Sequence, residues 1–405
     1  MKNVLIRAGM FPGQEPDAIT CWQKNLIANN SGNILFAESV QRAIYQPGVA
    51  YTPSYGVPKE AAAVNERYSA FVLPLANAFR KRFMPYLKAY TALIEQLKIP
   101  CIVVGVGAQT NLQHSLLQRS EIDKDVQAFV HAVLDKSHSI RVRGHFTAQY
   151  LAQLGFKDRV NVIGCPSMYM HQGQMRIAKQ AALPQNPAIA VNMTPHLPEN
   201  ISHWFRSVWK NHPSALYVMQ DRTDMALLLW GQPNPAMKKG DATPALLNHP
   251  TITRNRARLF FDSPSWISAM RGQDFSIGTR IHGNIAALLA GTPAMVVAHD
   301  SRTLEMAEFF HIPHVLGSTV DGNTDLAQLY AQADYGPLER ALPEKFLNFC
   351  QFLRDNGLEP HYGLETQLQQ GRYSPGPVVP ITALQGKALR ERLEALHQHL
   401  QPQPL

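Results

Sequence analysis

Residues Phe275 to Glu305 read FSIGTRIHGNIAALLAGTPAMVVAHDSRTLE. The run from Phe275 to Thr279 is a short apolar strand, Gly283 opens a helical segment rich in Ala and Leu, and Gly291, Thr292 and Pro293 turn the chain into a second apolar strand, AMVVAH. A helix start follows. Strand, turn, helix, strand, turn and helix in this order mark a parallel α/β sheet, whose ligands sit beyond the carboxyl ends of the strands. Both turns carry charge at those ends: Arg280 and His282 in the first, Asp300 and Arg302, with Glu305 just beyond, in the second.

Arg280 and His282 stand beside the unpaired N–H groups and positive dipole end of the helix beginning near Gly283, a combination that suits an anion. For an isolated Arg-x-His the plainer reading is an arginine paired to a local carboxylate and a histidine capping the turn. The same geometry one strand later shifts the balance, because neighbouring strand ends in a doubly wound sheet bring Arg280, His282 and Arg302 toward one ligand. Two guanidinium forks match a phosphate and a carboxylate better than two ammonium groups do. Glu305 or Asp300 is placed to orient His282, and an imidazole near its ordinary pKa of about 6.5 suits proton transfer at neutral pH.

The chain has 405 residues, 45% hydrophobic and 17% charged, with a net charge of +8. That length exceeds one ordinary core, so two domains of roughly 150 to 200 residues are expected. A basic balance favours anionic partners, but Lys and Arg form no run and no nucleic-acid motif occurs, so nucleic acid is not expected among them. Cys21, Cys101, Cys165 and Cys350 are widely spaced. They suggest neither a disulfide framework nor a metal site, and buried reduced thiols are the expectation. The opening MKNVLIRAGM has an apolar run cut short at Arg7 and reads as a first strand, not a secretory leader. The longest apolar stretch, Ile281 to Ala298, is interrupted by His282, Asn284 and Pro293 and does not read as a membrane span. A cytoplasmic location follows as the expectation, with peripheral association at the inner face of a membrane compatible with it.

Alternation of strand and helix extends through the chain. After the first strand, Ser31, Gly32 and Asn33 supply turn and cap chemistry before a helix carrying Ile34, Leu35, Val40 and Ile44, and such a start can receive an anion. Arg80 to Leu97 is helical, IPCIVVGVGAQT is a buried strand, and SHSIRVRGHFTAQYLAQLGF is a strand ending near Arg143, a turn at Gly144 and a helix. Arg143 and His145 are therefore a second strand-end pair. A linker is expected at Ala181 to Asn186. Beyond it strand and helix alternate again, giving two doubly wound, Rossmann-like domains facing a cleft in a GT-B-like arrangement: an N-terminal domain over 1–180 and a C-terminal domain over 187–325. A helical extension over 326–405 follows, in which Leu389, Leu393, Leu396 and Leu400 share a face expected to pack back on the body.

The block SIGTRIHGNIAALLAGTPAMVV followed by DSRTLEMAEFFHIP resembles the C-terminal signature of the polysaccharide pyruvyl transferase family. SGN opening a helix, IPCIVVGVGAQ, IRVRGHFTAQYLAQLGF and VIGCPS extend the likeness over roughly Gly32 to Pro313. The resemblance implies a GT-B-like fold and transfer of the pyruvyl unit of phosphoenolpyruvate to a sugar of a surface glycan, or its precursor, as a cyclic ketal. It implies no cofactor and no metal, and it names phosphoenolpyruvate and a glycan or glycolipid acceptor as partners. The family's Arg-x-His falls on Arg280 and His282, the expected catalytic pair, and its first-domain arginine on Arg143. Arg302, Gly283, Asp300, Glu305, His145, Gly32 and Asn33 are the further substrate-binding candidates. Two positions depart from the pattern: Gly144 stands where relatives often carry an acid, and Cys165-Pro166 where they often carry Asp-Pro. A GT-B glycosyltransferase using a nucleotide sugar is the alternative reading, and a non-enzymatic glycan-binding protein is a third.

Overall fold

The computed structural model describes residues 3–14, 16–109, 121–237, 242–363 and 377–400. Apolar strands that cannot face water set the frame. In the N-terminal half, β1 (Asn3–Ile6), β2 (Ala50–Pro53), β3 (Ala70–Pro74) and β4 (Cys101–Val104) form a parallel sheet in the order β2-β1-β3-β4. β5 (Ile140–Val142) and β6 (Val160–Val162) pair in parallel, and Val106 joins them to β4 by donating to Arg141 at 3.2 Å and accepting from Arg143 at 3.0 Å. Every residue of β3 and β4 is buried, as both faces of a parallel sheet require.

The second sheet contains β7 (Ile189–Asn192), β8 (Leu216–Met219), β9 (Ala257–Leu259), β10 (Phe275–Gly278), β11 (Ala294–Ala298) and β12 (His314–Leu316), all parallel, in the order β12-β11-β10-β7-β8-β9. The order reverses direction between β7 and β10. That is where an open α/β sheet leaves a crevice beyond its carboxyl ends. The α/β class and the two parallel, doubly wound sheets agree with the sequence reading. The reading passes over β2, β3 and β9 and the helices Asp123–Leu134 and Arg222–Trp230.

The carboxyl ends of the two sheets face one another. Ser31 donates its N–H to Gln220 O at 2.8 Å, Arg222 N to Asn29 O at 3.0 Å, and Asn30 and Asp221 form an isolated antiparallel bridge. Helix Gly32–Ile44 follows that junction and is buried on nearly all sides, because it lies between the first sheet and the second domain's helices Ser263–Arg271 and Ile281–Leu289. Its Ile, Leu, Phe and Val side chains thus serve both domains.

Residues beyond the second sheet return to the first. Helix Gly336–Asp355 stacks Phe349 on Tyr169 with ring centres 5.2 Å apart, and Asn348 donates to Val162 O at 2.9 Å. Asp355 reaches Arg141 at 3.9 Å. Val378 then pairs with Leu259 at the β9 edge, donating and accepting at 2.6 and 3.3 Å. The last helix, Gly386–Leu400, corrects one expectation: Leu393 is 48% exposed and Leu389 and Leu396 are only half-buried, so the leucine face is incompletely covered. Its expected fourth member, Leu400, has a side chain outside the described set. Among the described residues, no helix is long and apolar enough to cross a membrane.

Gly164 follows β6 with φ +71°, and a Cβ there would come within 2.2 Å of Phe310 Cζ. Both the left-handed backbone and the aromatic neighbour demand glycine. Gly164→Ala is expected to lower the unfolding free energy by about 2 kcal/mol or more, read as an earlier urea midpoint at unchanged slope.

Candidate functional site

Asn192, the last residue of β7, organises the crevice. Its Oδ1 accepts from Arg280 N at 3.1 Å and its Nδ2 donates to Asn284 Oδ1 at 3.2 Å, tying β7 to the turn after β10. Gly283 belongs to this packing: a Cβ there would sit 2.5 Å from Asn192 Cγ. The glycine of Arg-Ile-His-Gly therefore lets the helix start approach the neighbouring strand end.

Arg280 is not open to solvent. Its Nε donates to Met193 O at 2.7 Å, and its two terminal nitrogens form a fork on the Asp221 carboxylate, one of them at 3.2 Å from Oδ1. Asn30 Nδ2 donates to the same Oδ1 at 2.8 Å, so a first-domain side chain shares the carboxylate. Burial would lower the Arg280 pKa, but Asp221 and Asp224 reverse the effect and hold it above the ordinary value. Asp224 sits behind Asp221, fully buried, accepting from Asn234 Nδ2 at 2.6 Å; burial and then Asp221 push its carboxyl up. Asp221 caps helix Arg222–Trp230 with a reciprocal capping box completed by Asp224. The sequence reading misses both acids. The available signal is Asp-x-x-Asp directly after the strand ending at Met219.

His282 lies at the domain junction with 9% of its surface exposed. Its Nε2 is 3.5 Å from Cys165 Sγ, and Gly32 presses against the other side of the ring, where a Cβ would meet Nδ1 at 2.6 Å. Cys165 Sγ is also 2.9 Å from Ser167 Oγ and 3.9 Å from an Arg143 terminal nitrogen. Arg143 is 1% exposed, donates Nε to Gly105 O at 2.9 Å, and carries its guanidinium 4.8 Å above the Phe36 ring. The structure thus joins Gly32, Arg143, Cys165 and His282 in one cluster spanning both domains. Burial, followed by the charges of Arg143, Arg302 and Arg280, lowers the His282 pKa well below its ordinary value. This corrects the expectation of an imidazole titrating near 6.5: without ligand the ring is neutral at physiological pH.

The turn after β11 has a different internal order from the one expected. Asp300 caps helix Ser301–Phe310, accepting from Thr303 N at 2.8 Å, and pairs with Arg302 at 3.1 Å. Gln109 of the first domain donates to the same carboxylate at 3.4 Å. Glu305 reaches into the first domain, accepting from Thr147 N at 3.1 Å and from Thr147 Oγ1 at 3.0 Å. Both carboxylates are therefore engaged elsewhere, and the group at His282 Nε2 is Cys165. Gly144 is explained by the same contact, because a Cβ there would fall 2.6 Å from Glu305 Oε2. His145 is exposed, with its ring 6.0 Å from that of Phe309. Asn33 turns inward to donate to Ala28 O at 2.8 Å and borders a small pocket with Arg7 and Tyr55. Among the described residues, no group of three or more His, Cys, Asp and Glu side chains is arranged to hold a metal.

A profile of the polysaccharide pyruvyl transferase family matches residues 30–301. No curated protein shows a significant sequence match. Solved structures that match the chain include S. aureus MnaA with UDP, 11% identical over 89% of this chain and 99% of that chain, at a TM-score of 0.41. A UDP-GlcNAc 2-epimerase from Neisseria meningitidis bound to UDP-GlcNAc is 10% identical over 91% of this chain and 98% of that chain, also at 0.41. A functionally uncharacterized protein of Klebsiella pneumoniae is 10% identical over 76% of this chain and 87% of that chain, at 0.39.

Burial pushes the Glu305 carboxyl up to about 7 despite its bonds from Thr147 and the charge of Arg143. A raised acid favours the folded state at low pH and loses that contribution as pH rises from the unfolded value toward 7, so wild-type stability should fall across that window by up to about 3 kcal/mol from this group. Glu305→Gln cannot ionise. Urea unfolding from pH 4.5 to 7.5 should show a variant-minus-wild-type difference that grows with pH and levels off above 7; a difference independent of pH would contradict the buried, protonatable carboxyl.

Proposed function

The chain belongs to the polysaccharide pyruvyl transferase family, and on that premise we propose that it transfers the pyruvyl unit of phosphoenolpyruvate to two hydroxyls of a glycan sugar as a cyclic ketal, releasing phosphate. The observation carrying this reading is the cluster of buried Arg143 and His282 with half-buried Arg302 at the meeting of two strand-end crevices. Buried guanidinium groups with few carboxylates beside them favour a compact polyanion, and the donor supplies a carboxylate and a phosphate on adjacent atoms.

In this mechanism Arg143 and Arg302 receive the donor's charges. Arg280, forked on Asp221, holds the turn that presents His282. Arrival of the anionic donor offsets the charges of Arg143 and Arg302, so His282 takes up a proton as the donor binds and can deliver it to the methylene carbon. One sugar hydroxyl then bonds to the adjacent carbon, and a second displaces phosphate by forming the other ketal C–O bond as the C–O bond to phosphate breaks. Of the two hydroxyl protons, one ends on the new methyl group, by way of His282, and the other on the departing phosphate. Cys165, against Nε2, fixes the ring's orientation. The chemistry balances without an oxidant or reductant.

Phosphate release from phosphoenolpyruvate, measured against a panel of glycan acceptors, tests the proposal. Wild type should release phosphate only with a suitable acceptor, and Arg143→Ala and His282→Ala should each reduce kcat/KM by about 100-fold or more. Binding of nucleotide sugars, with no acceptor-dependent phosphate release, would replace this reading with the glycosyltransferase one.

A further inference from the structure

Arg80 lies outside the residues assigned so far, and its surroundings do not satisfy it. It follows Phe79, which donates its N–H to Gly107 O at 3.2 Å and accepts from Gln109 N at 3.3 Å. Gln109 is in turn bonded to Asp300, the partner of Arg302. This ladder carries Arg80, on the first domain, to the turn after β11 on the second. Three nitrogens in this region are buried without a hydrogen-bond partner among the described residues: Arg80 Nε, Arg302 Nε and His299 Nδ1. After its own burial, the charges lowering the Arg80 pKa are those of Arg302 and Arg82, and the Tyr55 hydroxyl opposes them.

Two half-buried guanidinium groups that repel each other, each with an unpaired N–H, are costly unless an anion is added. Asp300 does not meet the need: its oxygens already accept from Thr303, Arg302 and Gln109. We infer that Arg80 and Arg302, with His299, form a phosphate-binding subsite assembled across the two domains. A phosphate dianion offers three acceptor oxygens, enough for both Nε–H groups and the imidazole, and its charge relieves the Arg80–Arg302 repulsion. Assigning that phosphate to the donor rests on the pyruvyl transfer reading. It places the phosphate end of phosphoenolpyruvate at Arg80 and Arg302 and leaves Arg143, beside His282, for the carboxylate.

Calorimetric titration of the full chain with inorganic phosphate tests the subsite without turnover. Arg80→Gln should weaken phosphate binding at least tenfold while leaving the urea midpoint unchanged or raised, because it removes an unpaired buried charge. If that variant does not fold, phenylglyoxal labelling of wild type followed by peptide mass spectrometry replaces it: phosphate should protect Arg80. An unchanged phosphate Kd in Arg80→Gln, or labelling of Arg80 that phosphate does not slow, overturns the inference. Steady-state assays identify the source, since a KM rise for phosphoenolpyruvate alone marks the donor's phosphate and a rise for a phosphorylated acceptor alone marks the acceptor's. Phosphate binding that depends on Arg80 without any pyruvyl transfer would defeat the reaction assignment and leave the subsite standing.

Discussion

Burying guanidinium groups at a domain boundary is the constraint around which this molecule is arranged. Arg143 is withdrawn from water almost completely, and Arg280 and Arg302 are largely enclosed. Each demands acceptors, and the chain supplies them unevenly. Arg280 has an entire carboxylate, with Asp224 behind it; Arg143 has one carbonyl, a sulfur and an aromatic face; Arg302 shares Asp300 with Gln109 and Thr303. Satisfaction falls from Arg280 through Arg302 to Arg143. The satisfied arginine and the unsatisfied ones thus share one domain junction.

The same logic explains why the imidazole and the carboxyl nearest these cations move in the directions they do. His282 loses its proton because burial and three positive neighbours disfavour a fourth charge. Glu305 keeps its proton to higher pH because burial outweighs Thr147 and Arg143. Both shifts favour the neutral form, the low-cost state in a poorly hydrated junction. On the proposed function, an anion arriving among these cations would change the balance for both, linking proton uptake to its binding.

Much of the frame was legible because parallel strands buried on both faces are written as uninterrupted apolar runs, and AMVVA and CIVV could be little else. The cations at strand ends were legible for the same reason, since the end of such a run is where a doubly wound sheet keeps its ligands. What escaped the reading was pairing over long separations. Asp221 is 59 residues from Arg280, Cys165 is 117 from His282, and Thr147 is 158 from Glu305. Periodicity reports which face of an element is apolar but carries no information on which remote side chain completes a hydrogen bond. β9, three residues long with a half-exposed centre, offered no apolar run to find, and the leucine spacing of the last helix marked a face without saying that anything covers it.

After the segment joining β6 to β7, helix Gly336–Asp355 brings the chain back onto the first half, and Val378 returns it to the β9 edge of the second. A pair of leaves held at one pin can swivel in any direction, and every further pin takes directions of turning away. The stacked rings of Tyr169 and Phe349 bind that segment and that helix to each other. Each crossing removes freedom of one half to turn against the other, so Arg80 and Arg302, carried on opposite leaves, meet across a seam that the chain itself holds in register.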